Sequence, residues 1–433
     1  MNPLYNAGIT LYKSAAHLAA LRSVKVRHML KGQAETMERL QAFRRTLAPE
    51  GFDVWIHAAS LGEFEQGRPV IEALLAARPE TKILLTFFSP SGYEVRCDYD
   101  PRIAVTYLPF DKPSYVERFL DIADPKLAVF VKYEFWGNYL TGLRRRKIPT
   151  YLISSIFRPG QAFFRPWGRI FRDILGCFTH IFVQEEASRR LLEGIGITNV
   201  TVAGDTRFDR VSAIRDNGRV IPEIEIFKSA APDAFTLIAG SSWPKDEDIY
   251  IPILKANPGI RAIIAPHEFD AHRLAELRRR LGGDSTMLLS DFKHIFEKSP
   301  EEARKTASRL RYIIVDCFGL LSSLYRYGDA AYIGGGFGTG IHNINEAAVF
   351  GIPVIFGPNN KKFVEARELQ DCEGGFCIDG TESATRLFQR LTSNPVFAKA
   401  SGKAAKDYIA SKIGATAIVM RDIFNIDTNK AKP

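Results

Sequence analysis

A carboxylate that could act as a general base lies in the motif Ser60-Leu61-Gly62-Glu63. The motif follows residues 53–59, an apolar run typical of a buried strand, and it opens a segment with helical periodicity. Glu63 is therefore predicted in the first turn of a helix, at the carboxyl end of a strand, where open α/β sheets bind their ligands. A carboxylate there can take a proton from a hydroxyl group. The alternative is that Glu63 only complements the helix dipole.

A second carboxylate lies in Tyr133-Glu134-Phe135-Trp136, just after the apolar run at residues 126–131. A glutamate between aromatic side chains at a strand end indicates a raised pKa or a fixed partner. The alternative is an acid at a helix start that merely packs against aromatic rings.

A cation follows the last predicted strand of the first half, in the motif GDTRFD. Its guanidinium, that of Arg207, could bind a phosphate or carboxylate through two parallel hydrogen bonds. The alternative is a simple ion pair with Asp205 or Asp209.

The second half of the chain holds a glycine-rich loop, GGGFGTGIHNINEAAVFGIPVIFGP, from Gly334 to Pro358. Glycines let backbone N–H groups approach an anion, and a helix start adds unpaired donors, so the loop is predicted to hold a phosphate. Asn343 and Glu346 fit a capping pair at the start of that helix. No strict G-x-G-x-x-G is present, and the alternative is a tight strand-to-helix turn without a ligand.

Two shorter motifs also follow predicted strands of the second half, where a nucleotide would lie. The first is Pro266-His267 and the second is Phe318-Gly319-Leu320. A lone histidine is more often structural than a ligand, so His267 carries no weight by itself.

The elements that would position these residues alternate between strand and helix. Apolar runs separated by helical segments indicate a parallel sheet covered on both faces, hence an α/β fold. A polar stretch at residues 215–231 interrupts the alternation and is interpreted as a linker, so 433 residues are predicted to form two doubly wound domains with a cleft between them. The further strands are predicted at residues 82–87, 103–108, 150–154, 180–183, 200–203, 235–239, 261–265, 312–315, 330–333 and 353–356.

Positive charge is concentrated at the N-terminus, where residues 1–46 carry +6 of the net +9. Apolar side chains share this segment, but Lys13 and His17 break the run before the roughly 20 residues that span a bilayer. The pattern favours a helix that lies in a membrane interface over a signal peptide or a nucleic-acid-binding protein. An amphipathic helix packed on the protein body is the alternative. Five cysteines without a C-x-x-C motif argue against a zinc site and a disulfide scaffold.

Together these motifs resemble the Kdo transferases, which move 3-deoxy-D-manno-octulosonic acid from CMP-Kdo to a lipid A precursor. The resemblance covers roughly residues 1–425 and is strongest in WIHAASLGE, YEFWGN, GDTRFD and HNINEAAVFGIPVIFGP. It implies a GT-B fold of two Rossmann-like domains with a central cleft. The implied division is a membrane-associating segment at 1–46, an acceptor domain at 47–214, a donor domain at 215–405, and a helix crossing back with a tail at 406–433.

The resemblance also implies roles for individual residues. Glu63 would be the general base, and Glu134 and Arg207 would stabilise the transition state. The family is metal-independent and inverting, no D-x-D pair is convincing here, and neither a cofactor nor nucleic acid is expected. The implied partners are CMP-Kdo, a tetraacyldisaccharide bisphosphate and the cytoplasmic face of the Gram-negative inner membrane. The residues implied to contact CMP-Kdo are Pro266, His267, Phe318, Gly319, Leu320, Asn343, Ile344, Asn345 and Glu346.

Some positions depart from the family pattern. Arg207 stands where lysine is common, Leu320 where an acid is common and Ile344 where proline is common, and the Pro-His motif lacks an arginine. Two other functions remain open from the residues alone. One is a UDP-sugar-dependent GT-B transferase or epimerase, and the other is a non-catalytic membrane-bound sensor of a nucleotide or lipid.

Overall fold

The computed structural model describes residues 3–428, apart from the side chain of Asn217. The two terminal pieces outside this range, residues 1–2 and 429–433, belong to the predicted membrane-associating segment and the predicted tail. The chain divides into two compact units. The first runs to Asp209 and takes up the chain again from Ile413, and the second is Arg210–Lys412.

The first unit is built on a parallel sheet of seven strands in the order β3-β2-β1-β4-β5-β6-β7. The strands are β1 Val54–His57, β2 Ile83–Phe87, β3 Ile103–Tyr107, β4 Leu127–Val131, β5 Thr150–Ser155, β6 His180–Val183 and β7 Val200–Val202. The helices are α1 Pro3–Ala20, α2 Val24–Thr46, α3 Leu61–Ala77, α4 Pro90–Arg96, α5 Pro113–Ala123, α6 Gly137–Arg145, α7 Arg169–Leu175, α8 Glu186–Glu193 and α9 Thr206–Asn217, with a 3-10 turn at Ala162–Phe164.

The core of this unit lies on both faces of the sheet. Trp55 of β1 packs into one buried cluster, and its neighbours Val54 and Ile56 pack into another. Successive strand residues point to opposite faces, so both residue sets must be apolar when both faces are covered. This is why the strands appear in the sequence as continuous apolar runs.

The second unit repeats the plan with the order β10-β11-β9-β8-β12-β13-β14, again parallel. Its strands are β8 Phe235–Ser242, β9 Ile260–Pro266, β10 Thr286–Leu288, β11 Tyr312–Ile314, β12 Ala330–Ile333, β13 Val354–Phe356 and β14 Gly375–Cys377. Its helices are α10 Pro222–Ser229, α11 Pro244–Ala256, α12 Ala271–Leu281, α13 Leu289–Lys298, α14 Pro300–Arg309, α15 Leu321–Leu324, α16 Asn345–Ala348, α17 Val364–Asp371, α18 Thr381–Ser393 and α19 Pro395–Lys412, with 3-10 turns at Gly283–Ser285 and Tyr325–Tyr327.

The predicted linker at residues 215–231 is wrong, because this stretch contains the end of α9 and the whole of α10. Pro222 misled the prediction, since it stands at the first helical position, where proline is tolerated. Two three-residue edge strands, β10 and β14, were also missed. The predicted domain boundaries at 214/215 and 405/406 fall inside α9 and α19. The division of the structure after Asp209 also falls inside α9, whose residues from Arg210 onward belong to the second unit, and the division after Lys412 falls at the end of α19.

The N-terminal segment forms two helices with different surroundings. Helix α2 packs on β3, where buried Thr36 donates a hydrogen bond to the carbonyl of Tyr107 at 3.1 Å. Helix α1 contacts the unit through one face and leaves Leu4, Leu11 and Leu18 at least 70% exposed on another. Among the described helices, neither α1 nor any other combines the length and hydropathy needed to cross a bilayer.

The chain returns to the first unit in helix α20, Ala415–Phe424. Asp209 holds the start of this helix: its carboxylate accepts hydrogen bonds of 2.7 Å from the backbone N–H groups of Gly414 and Thr416 and from the Thr416 hydroxyl. Val419 and Met420 then complete the core beside β1.

Replacing Asp209 by alanine removes all three hydrogen bonds at once. We expect the free energy of unfolding to fall by about 1–2 kcal/mol, the usual cost of a lost helix cap. Urea unfolding followed by circular dichroism measures this, with Asp233→Ala, an exposed aspartate of the second unit, as control. Equal midpoints for the two variants would contradict the anchoring role of Asp209.

Candidate functional site

The two carboxylates found in the sequence flank the point where the strand order of the first sheet reverses. From β1 the chain moves outward to β2 and β3, and β4 then pairs with the other edge of β1. Glu63 follows β1 and Glu134 follows β4. Ligands of open α/β sheets bind at this kind of switch point, so the topology alone places both residues where chemistry is expected.

Glu63 lies in the first turn of α3 and is half-buried. Its Oε2 accepts hydrogen bonds from the backbone N–H and the hydroxyl of Ser60, at 2.9 and 3.0 Å. Burial raises the pKa of Glu63 and the nearby Glu134 carboxylate raises it further, whereas the Ser60 hydrogen bonds and the charge of His57 oppose the rise. The result is a fixed carboxylate that is more basic than an ordinary glutamate.

Glu134 is 93% buried, and a chain of hydrogen bonds through the sheet holds it. His57, at the end of β1, contacts Glu134 Oε2 through Nε2 at 3.0 Å and Thr86 Oγ1 through Nδ1 at 2.9 Å. Trp55 donates to the same Thr86 hydroxyl at 2.8 Å. Nδ1 also lies 3.1 Å from the Thr86 carbonyl oxygen, and Nε2 lies 3.1 Å from Trp136 Nε1, so both ring nitrogens have hydrogen-bonding partners. Trp136 Nε1 donates to the same Glu134 oxygen at 2.5 Å.

Arg207 forms the ion pair that was the alternative interpretation of its motif, and Asp205 rather than Asp209 is the partner. Its Nε and Nη2 donate to Asp205 Oδ2 at 2.9 and 2.6 Å. Buried Gln66 of α3 donates to the same oxygen at 3.0 Å. Although β7 is an edge strand, this contact draws the loop after it back to α3, the helix that carries Glu63.

The three predicted catalytic residues therefore share one neighbourhood in the first unit. Tyr133 lies close enough to Glu63 and Arg207 to be affected by their charges. Burial raises the pKa of Tyr133, and the charges of Glu185 and Glu63 raise it further. The charges of Arg158 and Arg207 lower it. The preceding residue, Lys132, has φ = 69°, a left-handed backbone conformation that is uncommon outside glycine. Such strain often accompanies functional loops.

Helix α1 is hydrogen-bonded to the loop that carries Glu134. Tyr5 donates to Asp111 Oδ2 at 2.6 Å and accepts from the Gly137 N–H at 2.9 Å. Asp111 also accepts hydrogen bonds from the Asn138 and Tyr139 N–H groups. Burial raises the pKa of Asp111 to about 6, although these hydrogen bonds lower it. Hydrogen bonds therefore connect α1 to the loop that carries Glu134.

In the second unit the glycine loop also lies at a strand-order reversal, between β8 and β12. A Cβ on Gly334 would come within 2.1 Å of the Ser241 carbonyl oxygen, and Gly335 has φ = 90°. Buried Asp246 accepts hydrogen bonds from the N–H groups of Gly335 and Trp243, at 2.8 and 2.9 Å. The glycines thus allow a close backbone approach that a side chain would block.

The predicted capping pair is present in part. Asn343 Nδ2 donates to Glu346 Oε1 at 3.0 Å, and Asn343 Oδ1 accepts from the Asn345 N–H at 3.2 Å. However, α16 starts at Asn345 and comprises only four residues, with Ile344 at its N-cap. Asn343 therefore closes a turn just before the helix instead of capping it.

His267 lies in a stack of rings at the same edge of the sheet. It stacks on Trp243 at 4.3 Å between centroids and lies 4.8 Å from His342. Burial lowers the pKa of His342, and the adjacent His267 lowers it further. Pro266 ends β9 and positions this stack.

The third donor motif stands apart from the stack. Phe318 is 85% exposed, packs on Phe269 and, with Leu320, lines a cavity of about 490 Å³ that also contains Arg219 and Lys293. Gly319 has φ = 84° and makes the turn between them. The predicted donor residues thus lie in two places, one beside the glycine loop and the His267 ring stack, and the other at this cavity. Within residues 3–428, no three His, Cys, Asp or Glu side chains come together as a metal site.

Sequence reasoning missed His57, Thr86, Trp243 and Asp246. His57 and Thr86 lie inside apolar strands and look like core residues. Their link to Glu134 depends on β1 lying between β2 and β4, which local sequence does not reveal.

Replacing His57 by leucine would leave the buried Glu134 carboxylate without its imidazole partner. We expect this change to lower the free energy of unfolding by about 3 kcal/mol. The control is His28→Leu, which breaks a histidine–glutamate pair of 2.7 Å whose side chains are 55% and 51% exposed, and which should cost at most about 1 kcal/mol. Similar costs for both variants in urea unfolding would argue against the buried network.

Replacing Gly334 by alanine should destabilise the second unit by about 2 kcal/mol, because the new methyl group meets backbone that cannot move aside cheaply. Gly338→Ala is the matched control, since a Cβ there meets only one atom, at 3.8 Å. Thermal unfolding of the two variants measures the difference, and a Gly334→Ala protein as stable as Gly338→Ala would refute the close approach.

Known proteins resemble this chain in sequence. The profile of the family described as 3-deoxy-D-manno-octulosonic-acid transferase (kdotransferase) matches residues 31–210. A 3-deoxy-D-manno-octulosonic acid transferase of Aquifex aeolicus is 27% identical, and the alignment covers 78% of this chain and 86% of the relative. One of Bordetella pertussis is 26% identical and covers 87% and 88%.

Solved structures agree on the fold. A UDP-GlcNAc 2-epimerase from Neisseria meningitidis, bound to UDP-GlcNAc, is similar with a TM-score of 0.56 at 15% identity, over 86% of this chain and 100% of that one. A putative UDP-N-acetylglucosamine 2-epimerase from Listeria monocytogenes gives 0.53 at 12% identity, over 87% and 98%. At such identities the likeness concerns the fold alone, and it confirms the predicted GT-B class of two Rossmann-like α/β units. The family profile and these relatives show that this chain is similar to the 3-deoxy-D-manno-octulosonic acid (Kdo) transferases.

Proposed function

We propose that this protein transfers Kdo from CMP-Kdo to a phosphorylated lipid A precursor during lipopolysaccharide synthesis, with inversion at the anomeric carbon and with Glu63 as general base. The observation that carries the proposal is the Glu63 carboxylate: it is fixed by Ser60, made more basic by burial and by Glu134, and located at the switch point of the first sheet. The relatives' printed name supports Kdo as the transferred sugar.

In the proposed reaction the acceptor hydroxyl oxygen forms a bond to the anomeric carbon of Kdo, and its proton passes to Glu63. The bond between that carbon and the phosphate oxygen breaks, and its electron pair leaves with CMP. Positive charge develops on the sugar ring, which a carboxylate such as Glu134 stabilises, and negative charge develops on the phosphate, which a cation such as Arg207 stabilises. No metal takes part in this scheme.

The donor is assigned to the second unit and the acceptor to the first. The rings of Trp243, His267 and His342, beside the glycine loop, suit stacking on the base of a nucleotide. The motif residues Pro266, Phe318, Gly319, Leu320, Asn343, Ile344, Asn345 and Glu346 are proposed to contribute to the same donor site.

The acceptor is a lipid, so the protein is proposed to work at the cytoplasmic face of the inner membrane. The support is the exposed apolar face of α1, formed by Leu4, Leu11 and Leu18, on a segment rich in Lys and Arg. A helix of this type lies in the interface with its apolar face among the acyl chains.

The test is a transfer assay in which CMP-Kdo is synthesised in the reaction mixture and the acceptor is a tetraacylated, bisphosphorylated lipid A precursor. We expect wild type to form a Kdo-lipid product and Glu63→Gln to lose about 10²- to 10⁴-fold in kcat, the usual contribution of a general base. Glu80→Gln, at an exposed carboxylate of the first unit, should keep the wild-type rate.

Two outcomes would contradict the proposal. A Glu63→Gln protein with wild-type kcat would exclude Glu63 as the base. A wild-type protein that gives no Kdo-lipid product but turns over a UDP-sugar would favour the UDP-sugar transferase or epimerase function, and binding of CMP or lipid without any turnover would favour a sensor.

A further inference from the structure

A second cavity lies in the first unit, outside the catalytic cluster. It encloses about 360 Å³ and is lined by residues from α1, α2, α5 and the segment after β3. Polar and charged side chains line it together with apolar ones: Lys13, His17, Gln33, Met37, Phe110 and Arg118. None of the motifs assigned to catalysis or donor binding contributes to it.

The side chain of Gln33 is the most unusual feature of this cavity. The residue is 92% buried, and neither its amide oxygen nor its amide nitrogen has a hydrogen-bond partner in the described part of the chain. Buried polar groups nearly always have partners, because leaving them unpaired costs their desolvation. An amide that offers both a donor and an acceptor into a cavity of this size indicates a polar group of a ligand.

The charges around the cavity favour an anion. Lys13 and Arg118 outnumber the one acid that lines it, Glu38. Lys13 Nζ donates to the Tyr115 hydroxyl at 2.7 Å, and this contact lowers the pKa of Tyr115 and holds the ammonium group at the rim. A phosphate can accept hydrogen bonds from Lys, Arg and an amide N–H together.

The position of α1 favours a lipid as the carrier of that phosphate. At 100° per residue, Leu4, Leu11 and Leu18 lie on one exposed face of α1, and Lys13 lies on the opposite side, roughly 160° away. A helix with its side chains is about 10–12 Å across. If the apolar face enters the membrane, as proposed above, Lys13 therefore lies at the level of the headgroups, where lipid phosphates lie.

We propose that this cavity binds the phosphate-bearing headgroup of an anionic lipid through Gln33, Lys13 and Arg118. The proposal rests on the membrane placement in the proposed function and adds a site separate from the catalytic carboxylates. Phe110 forms part of the wall and also packs against Phe88, which contacts Trp136 beside Glu134. Three aromatic rings in succession therefore separate a bound headgroup from Glu134, so the headgroup should affect binding and not the chemical step.

Three variants test the site: Gln33→Glu, which places a negative charge in the cavity at nearly constant volume, Gln33→Leu, and the double variant Lys13→Gln/Arg118→Gln. Lys31→Gln, which removes an exposed cation of α2 outside the cavity, is the matched control. Unfolding midpoints identify a variant that fails to fold, and the remaining variants then decide.

The first measurement is binding to phosphatidylcholine vesicles with and without phosphatidic acid, and it needs no transferase activity. The second is KM and kcat in detergent with a bisphosphorylated acceptor and with the same acceptor lacking one phosphate. If the headgroup comes from the bilayer, the variants lose at least tenfold in affinity for phosphatidic acid vesicles relative to Lys31→Gln. If the headgroup belongs to the acceptor, the variants raise KM for the bisphosphorylated acceptor at least tenfold and leave kcat unchanged. With the monophosphorylated acceptor, the variants and Lys31→Gln then have the same KM.

Cavity variants that match Lys31→Gln in both measurements would overturn the proposal. A wild-type protein without Kdo transferase activity would instead overturn the proposed function. The vesicle measurement would still decide on a bilayer lipid in the cavity.

Discussion

The site in the first unit depends on placing a second carboxylate, Glu134, in a buried position near Glu63. Two nearby carboxylates repel each other, and burial penalises the charge of each. His57, Trp136 and, through His57, Thr86 hold Glu134 in position. Glu63 is held by the Ser60 hydrogen bonds, and burial and the charge of Glu134 raise its pKa. These different environments suit different roles for the two carboxylates.

The remaining contacts of the first unit bring distant parts of the chain to this pair. Gln66 and Asp205 draw the loop after an edge strand towards α3, which places Arg207 in the electrostatic environment of Tyr133 and Glu63. Tyr5 and Asp111 connect α1 to the loop that carries Glu134. Helix α1, with its exposed apolar face, is thereby joined to the loop that carries Glu134, and this arrangement suits an enzyme whose acceptor is proposed to remain in the membrane.

The sequence was sufficient to predict the fold class and twelve of the fourteen strands, because fully buried parallel strands leave continuous apolar runs. It also predicted that Glu63 and Glu134 lie at strand ends. The sequence did not identify contacts between residues that lie far apart in the chain. Strand order decides which residues contact each other at two places: Asp205 pairs with Arg207, and Thr86 is linked through His57 to Glu134. The return of the C-terminus explains the third contact, in which Asp209 holds the start of α20. Short edge strands such as β14, with only three residues, lack the length that a pattern needs.

We propose that Glu63 acts as a base whose pKa is raised by burial and by Glu134, and the decisive measurement is the pH dependence of kcat/KM for Kdo transfer. Because the carboxylate form is the active one, the rate must fall as the pH drops through the pKa of Glu63. We expect an acidic limb above the ordinary glutamate value of about 4.3, which moves to lower pH in Glu134→Gln because one cause of the raised pKa is removed. A rate that stays constant down to the ordinary glutamate range, or a limb that Glu134→Gln leaves in place, would contradict it.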